Sequence, residues 1–437
     1  MNSRIKRFAL LIVASLGATL GVSAQSITLE QCLKATHDNF PLQDQKILQA
    51  DAGEALQKAL WYAYIPQLSL GGQATYQSHV IELNVDPPTY PLIGKIDLNF
   101  IPAIPKFQYT VFAQATQVIW DGGQVKAGAK MIVAKTDEQQ AQTDVELQKL
   151  QEGVTELYFA LLLIEQQEET ERILKEELER QEEKVATSIV NGMATENDRD
   201  LVRVELLKAK QRRDEIKESR EAILDALSIY TGIAISQDVT PKLPDAPILP
   251  QDTQGRIAPQ RAEHRLLDSH LKTADAEWNA FVAKGMPTIA LFARGGYGRP
   301  GLNMLDPDPK PFFIGGVTLS WDFGQLYGYS AQRRKRDNTH LIVELKRQAL
   351  ERELATDVVR KNAEAEQYLK MLEQDKEIVQ LNKNISERNK LLEAEGSLST
   401  TDFLKQLNNY SIAKLTQKVH KIQYIRALYK KKNSLAL

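Results

Sequence analysis

The stretch Gln67-Leu68-Ser69-Leu70, continued by Gln73-Ala74-Thr75-Tyr76-Gln77, alternates strictly: Gln67, Ser69, Gln73, Thr75 and Gln77 fall on one side, Leu68, Leu70, Ala74 and Tyr76 on the other. A period of two predicts a β-strand with one wet and one apolar face. Residues 107–116 repeat the pattern, with Phe107, Tyr109, Val111, Ala113 and Ala115 set against Gln108, Thr110, Gln114 and Thr116, before the phase slips near Gln117. Strands are expected at about 66–78 and 107–121.

The same landmarks return two hundred residues on, which makes the chain an internal duplication. A helix ending in a strand-opening proline occurs as Tyr64-Ile65-Pro66-Gln67-Leu68 and as Gly285-Met286-Pro287-Thr288-Ile289. A second strand closing in Trp-Asp follows in both, as Trp120-Asp121-Gly122-Gly123 and Trp321-Asp322-Phe323-Gly324. The second pair of strands is expected at about 287–298 and 311–323, with Ile289, Leu291 and Tyr297, then Phe313, Val317, Leu319 and Trp321, on one face. The proline-to-tryptophan spacing differs by about twenty residues between halves, as a change in one surface loop would produce.

After each Trp-Asp comes a long proline-free polar stretch. Gln124–Asn191 reads as one helix of roughly 100 Å at 1.5 Å per residue, and Gln325–Glu395 as its twin. Both are broken by the pattern Gly, Ser or Thr three later, Asp six later: Gly192-Met193-Ala194-Thr195-Glu196-Asn197-Asp198, and Gly396-Ser397-Leu398-Ser399-Thr400-Thr401-Asp402. Helix tips are therefore expected at about 190–198 and 394–402. Gly permits a tight reversal, and Thr195 or Ser399 can cap the returning helix. Shorter helices, Thr28–Ala63 with Thr195–Tyr230 and Pro259–Lys284 with Ser399–Lys430, would pair with the long ones. Spacings of three and four mark apolar seams at Val202, Leu206, Ala209, Ile216, Ile223, Leu227 and Tyr230, and at Ile412, Leu415, Val419, Ile422 and Tyr429. Between the repeats, Pro241, Pro244, Pro247, Pro250 and Pro259 predict an extended tether.

The repeats thus run over 25–235 and 259–437, joined by a linker at 236–258. Residues 1–24 read as a signal peptide: Arg4, Lys6 and Arg7 precede the apolar run Phe8–Val22, and Val22-Ser23-Ala24 supplies small residues for cleavage. No later run is long enough for a membrane helix, so membrane contact would use strands or a surface helix. Each expected strand meets the roughly 9 to 11 residues that a membrane β-strand needs. Four strands cannot close a barrel, and an open edge in lipid leaves backbone groups unpaired at several kcal/mol each. Two copies would give about eight strands and a filled interior, three about twelve and a usable lumen. The fold class expected is mainly α with a membrane β part, four transmembrane strands per protomer continuing into a long α-helical barrel.

Composition excludes other classes. The net charge of −2 is mixed along the chain, against a nucleic-acid partner. Cys32 is the sole cysteine and reads as a buried helix-face residue; Glu30 and Gln31 before it rule out a lipid anchor. The six histidines lack metal-ligand spacing, and no nucleophile, base or metal cluster supports an enzyme, so neither cofactor nor metal is expected. Asp322-Phe323-Gly324 spells a kinase motif without its companions and reads as a turn. The runs Arg333–Arg336 and Lys430–Lys432 read as solvated faces near helix ends.

These features together resemble the TolC family of outer-membrane efflux proteins. The opening Thr28-Leu29-Glu30-Gln31-Cys32-Leu33-Lys34-Ala35 with Asn39-Phe40-Pro41 is similar to that family's first helix. Ile65-Pro66-Gln67-Leu68 is similar to its Leu-Pro-x-Leu, Trp120-Asp121-Gly122-Gly123 to its strand end, and the Gly-x-x-Ser/Thr-x-x-Asp tip occurs twice. The resemblance implies a homotrimer in outer-membrane lipid with most of its mass in the periplasm. It implies an exit duct for efflux or type I secretion, working with a periplasmic adaptor (membrane fusion) protein and an inner-membrane pump. It also implies adaptor contacts at the tips, through Gly192, Met193, Thr195, Gly396, Leu398 and Ser399, and a gate at Asp402, with Asp198 as a linkage candidate. Where the family's second entrance acid stands, one turn on from Asp402, this chain has Lys405, a departure that bears on cation selectivity. The rival from another class is a periplasmic coiled-coil structural or adhesive protein, which would leave the four strands without a purpose.

Overall fold

The computed structural model describes residues 26–80, 89–90, 94–95, 105–249, 261–303, 306–395 and 397–435. The expected signal peptide, the linker from 250 to 258 and Gly396 lie outside these residues. In chain order the main elements are α1 (Leu29–Asn39), α2 (Pro41–Trp61), β1 (Gln67–Tyr76), β2 (Phe107–Trp120), α3 (Gln124–Val190), α4 (Glu196–Thr231), α5 (Ala262–Lys284), β3 (Thr288–Arg299), β4 (Lys310–Ser320), α6 (Tyr329–Ala394) and α7 (Thr400–Ser434). They form two compact units, one from residues 46–143 and 262–348, the other from the remaining segments.

The first unit holds one antiparallel sheet in the order β1-β2-β3-β4, so the two halves of the duplication meet at β2 and β3. The ladder between β1 and β2 is unbroken from Gln67 opposite Thr116 to Tyr76 opposite Phe107. Between β2 and β3 the register shifts at Val118 to Trp120, a bulge that accounts for the slip of the alternation after Gln117. Among the described residues, β1 and β4 each keep one edge without a partner.

The two strand-to-helix turns are built differently. In the first half, Asp121 accepts bonds from the Gly123 amide at 2.9 Å and the Val125 amide at 2.6 Å, so α3 starts at once. This reversal needs positive φ at Gly122 (66°) and Gly123 (85°). In the second half, Asp322 accepts from the Gly324 amide at 2.8 Å, and a 3₁₀ turn, Phe323–Gly328, intervenes. The strand therefore stops at Ser320 and α6 begins at Tyr329, later than the Gln325 expected from sequence. With Phe323 in place of the first of two glycines, the chain takes the tighter i to i+3 path.

The second unit is helical. Its core joins Leu29 and Cys32 of α1, Val154, Tyr158 and Phe159 of α3, Leu224 and Leu227 of α4, and Ile422 and Ile425 of α7. Cys32 is fully buried, as read from sequence, and burial pushes its thiol up to about 11. The expected single first helix is two. Pro41 forces Phe40 to an extended conformation (φ −78°, ψ 136°), which ends α1 and starts α2. The described part of the proline-rich linker, 236–249, is not a free tether: Thr240–Pro241 pairs in parallel with Ser26–Ile27. The Tyr158 hydroxyl lies 2.9 Å from the Ile27 carbonyl and 2.6 Å from that of Lys242, and Arg220 donates to the Val239 carbonyl at 2.7 Å. Of the expected seams, Val202, Ala209, Leu227 and Ile422 are buried, whereas Tyr230 and Ile412 are exposed.

Candidate channel wall and helix tips

The sheet has two chemically distinct faces. One carries Leu68, Leu70, Val111, Leu291, Phe313 and Val317, all exposed, Leu68 and Leu70 at 83% and 87%. Withdrawing such side chains from water is worth roughly 1.5–3 kcal/mol each, so a face of this kind calls for apolar surroundings. Tyr76 and Phe107 stand at one end of this face and Trp321 at the other, the Trp321 indole N–H donating to the Gly285 carbonyl at 3.0 Å.

The opposite face carries Gln67, Ser69, Gln73, Gln108, Thr110 and Gln114, interrupted by three phenylalanines that pack over glycines across the strands. Phe112 sits between Gly71 and Gly296, and a Cβ on Gly71 would fall 2.6 Å from its ring. A Cβ on Gly296 would meet the Val111 carbonyl at 2.5 Å and the Phe312 ring at 2.7 Å. The missing side chains are thus what lets the rings lie against the sheet. Arg294 stands in the middle of this face, its Nε 2.7 Å from the Gln114 amide oxygen and its guanidinium 4.4 Å from the centre of the Phe112 ring. No Asp or Glu occurs in any of the four strands. Neither Arg294 nor the glycine and phenylalanine pairing was singled out from the sequence; the signal was there in an arginine in the middle of a strand whose other charge, Arg299, stands at its very end.

At the first tip α3 ends at Val190, and Gly192, with φ 73°, closes it. The Met193 amide returns to the Ser188 carbonyl at 2.8 Å and the Gly192 amide to Ile189 at 2.9 Å, a pattern that satisfies the last carbonyls of the helix. Met193 projects, 76% exposed. Thr195 and Asp198 then form a reciprocal cap: the Thr195 hydroxyl and amide donate to the Asp198 carboxylate at 2.7 and 3.0 Å, and the Asp198 amide donates back to the hydroxyl at 3.4 Å. Bonds from the Thr195 hydroxyl and amide hold the Asp198 carboxyl below the usual carboxylate range.

The second tip repeats the device. The Ser397 amide returns to Leu392 at 2.8 Å, the Ser399 hydroxyl donates to the Asp402 carboxylate at 2.7 Å, and the Asp402 amide donates to the Ser399 hydroxyl at 3.1 Å. Leu398 is half-buried and Ser399 exposed. The acids of the repeated tip pattern, Asp198 and Asp402, are therefore both partners of their own helix caps as well as surface charges. Lys405 is exposed and lines, with Leu404 and Asn408, a groove of about 290 Å³ whose other walls include Leu174, Leu178, Leu201 and Val204. One contact at this end was not read from sequence: Glu393 of α6 accepts from Gln181 of α3 at 3.1 Å and pairs with Lys184. Among the described residues no cluster of His, Cys, Asp and Glu could hold a metal ion.

No family model matches the chain, and no curated protein is similar to it in sequence. Solved structures do match. The outer-membrane channel OprN aligns with a TM-score of 0.67 at 14% identity, over 93% of this chain and 89% of its own. The CmeC outer-membrane channel of Campylobacter jejuni gives 0.66 at 12%, over 96% and 90%. The MtrE outer-membrane channel of Neisseria gonorrhoeae, in its open state, gives 0.63 at 16%, over 96% and 95%. The fold is that of the TolC-type outer-membrane channels. At these identities the likeness is one of backbone, and it spans nearly the full length of each TolC-type chain, strands and helices together.

Proposed function

We propose that three copies of this chain form an outer-membrane channel, a passive exit duct whose helices stand in the periplasm. The observation that carries this reading is the four-stranded sheet with an exposed apolar face and, among the described residues, two edges left unpaired. Lipid satisfies the face, and the edge of a neighbouring copy satisfies each edge, β1 of one against β4 of the next. Three copies give the roughly twelve strands that leave an open lumen. The polar face then lines the lumen. Exposed apolar residues of α6, Leu341, Leu345, Val359 and Leu391, fit burial against neighbouring copies in the same assembly. The likeness to solved outer-membrane channels supports the same architecture.

In this reading the tips at Gly192–Asp198 and 396–402 form the periplasmic entrance. Met193 and Leu398, standing beside the caps at Thr195 and Ser399, offer the adaptor-contact surface together with Gly192 and Gly396. Asp402 and Lys405 stand at the entrance, with Asp198 beside them, and the adaptor couples the duct to an inner-membrane pump. Cargo is then chosen by the pump, and the duct is used for efflux of small molecules or export of proteins. Purified full-length protein placed in planar bilayers tests the channel directly. Stepwise conductance from a species of three times the chain mass is expected; a water-soluble monomer that never conducts would overturn the reading.

A further inference from the structure

Resting on the channel reading, we propose that Arg294 sets the charge preference of the β-barrel lumen, favouring small anions such as carboxylates and phosphates over cations. The register places Arg294 in the row Ser69, Gln114, Arg294, Ile314, straight across all four strands of the polar face. On one side lies the row Gly71, Phe112, Gly296, Phe312, and on the other Gln67, Thr116, Phe292, Gly316. The cation is thus seated between two phenylalanine-bearing rows. Three copies bring three such arginines to one level of the lumen.

Two features make it a fixed charge and not a wandering side chain. Gln114 accepts from the guanidinium at 2.7 Å, and the Phe112 ring lies 4.4 Å beneath it, so its position is held by a hydrogen bond and a cation–π contact. A guanidinium carries five donors, and the amide oxygen of Gln114 does not exhaust them, which leaves donors for a planar oxyanion. No acid in the four strands neutralises it; Lys310, the other cation on this face, stands at the strand end and pairs with Asp306. Arg299, at the end of β3, donates to the Pro307 carbonyl at 2.8 Å.

The reach of this charge is set by salt. The Debye length is about 30 Å at 0.01 M and about 3 Å at 1 M, so three arginines bias the whole width of a twelve-stranded lumen only in dilute electrolyte. Reversal potentials of single channels in potassium chloride gradients read the bias, comparing wild type, Arg294→Gln and Arg294→Lys. At about 0.01 M the chloride-to-potassium permeability ratio should fall at least about twofold in Arg294→Gln and be largely retained in Arg294→Lys, and the difference should vanish near 1 M. The comparison is between variants, so charges at the tips, Lys405 among them, cancel. Conducting trimers of Arg294→Gln with the wild-type ratio at low salt would overturn the proposal while leaving the channel reading intact. Absence of conductance in the wild type would overturn both.

Discussion

The two faces of the β1-β2-β3-β4 sheet share one backbone and one set of ladders, yet they follow opposite rules. On one, the side chains are large, apolar and exposed, and neighbouring ones have room. On the other, glutamines, serines and threonines are interrupted by phenylalanines, and Phe112 and Phe312 lie as they do because Gly71 and Gly296 lack a Cβ beneath them. The first face is specified by what surrounds it and the second by what it packs against itself. A soluble sheet would show the reverse assignment, with the apolar face covered by the protein's own helices. The difference teaches that the apolar face was shaped for a solvent other than water.

A lysine on each face gives the largest expected contrast. Leu70→Lys puts a charge into the apolar face and should destabilise the membrane-inserted protein by roughly 2–4 kcal/mol, the cost of a lysine near the bilayer midplane. Ser69→Lys, its neighbour in the same strand, lies on the polar face and should shift the urea midpoint of refolding in lipid vesicles far less. Equal shifts for the two would break the distinction between the faces.

Glycine substitutions sharpen it at smaller scale. On the polar face, Gly296→Ala drives a methyl to within 2.5 Å of the Val111 carbonyl, a backbone atom that cannot swing away. About 1–3 kcal/mol of destabilisation is expected from such overpacking. On the apolar face, Gly72→Ala meets its nearest neighbour at 3.6 Å, an ordinary contact. Its effect should stay within about 0.5 kcal/mol in the same refolding assay. A more damaging Gly72→Ala would mean that the apolar face is packed against protein.

The smallest effect is one of pH, and it should appear at the tips and not in the sheet, whose strands hold no carboxylate. The Asp198 carboxyl is depressed by its bonds to Thr195. Its contribution to the cap is therefore present above the unfolded pKa of about 3.9 and is lost as pH falls through the lower folded value. Hydrogen exchange at residues 196–199 should show protection unchanged from pH 7 to about 5 and weakening only below about 4. Thr195→Ala should cost this helix start about 1 kcal/mol at neutral pH, and loss of protection beginning near pH 6 would contradict the sign.

The strands, the duplication and both tips were legible because they rest on short-range rules: alternation, proline, glycine and capping act within a few residues. The bulge at Val118 to Trp120 showed itself in advance as a slip in the alternation. What was not legible depends on neighbours across the sheet or between helices. Ile412 looked like a seam residue from its spacing, yet it is exposed while its neighbour Ala413 is buried, since α7 packs on helices whose direction no local pattern reveals. The linker's grip on Ser26–Ile27 joins residues two hundred positions apart. Arg294 was missed because its meaning comes from Gln114 and Phe112 on another strand. At the tips, capping by Thr195 and Ser399 was legible in the sequence but its partners were not: the acids Asp198 and Asp402 are bound to these caps.

Closure of three sheets into one barrel is the central claim, and covalent trapping of the two open edges in the assembled membrane protein tests it most directly. Cysteines paired one each along 67–76 and 310–320, with the buried Cys32 replaced by serine as background, should give under mild oxidation a covalent species that stops at three chains. Absence of any product across all pairs, or a ladder running past three, would contradict a closed trimeric barrel.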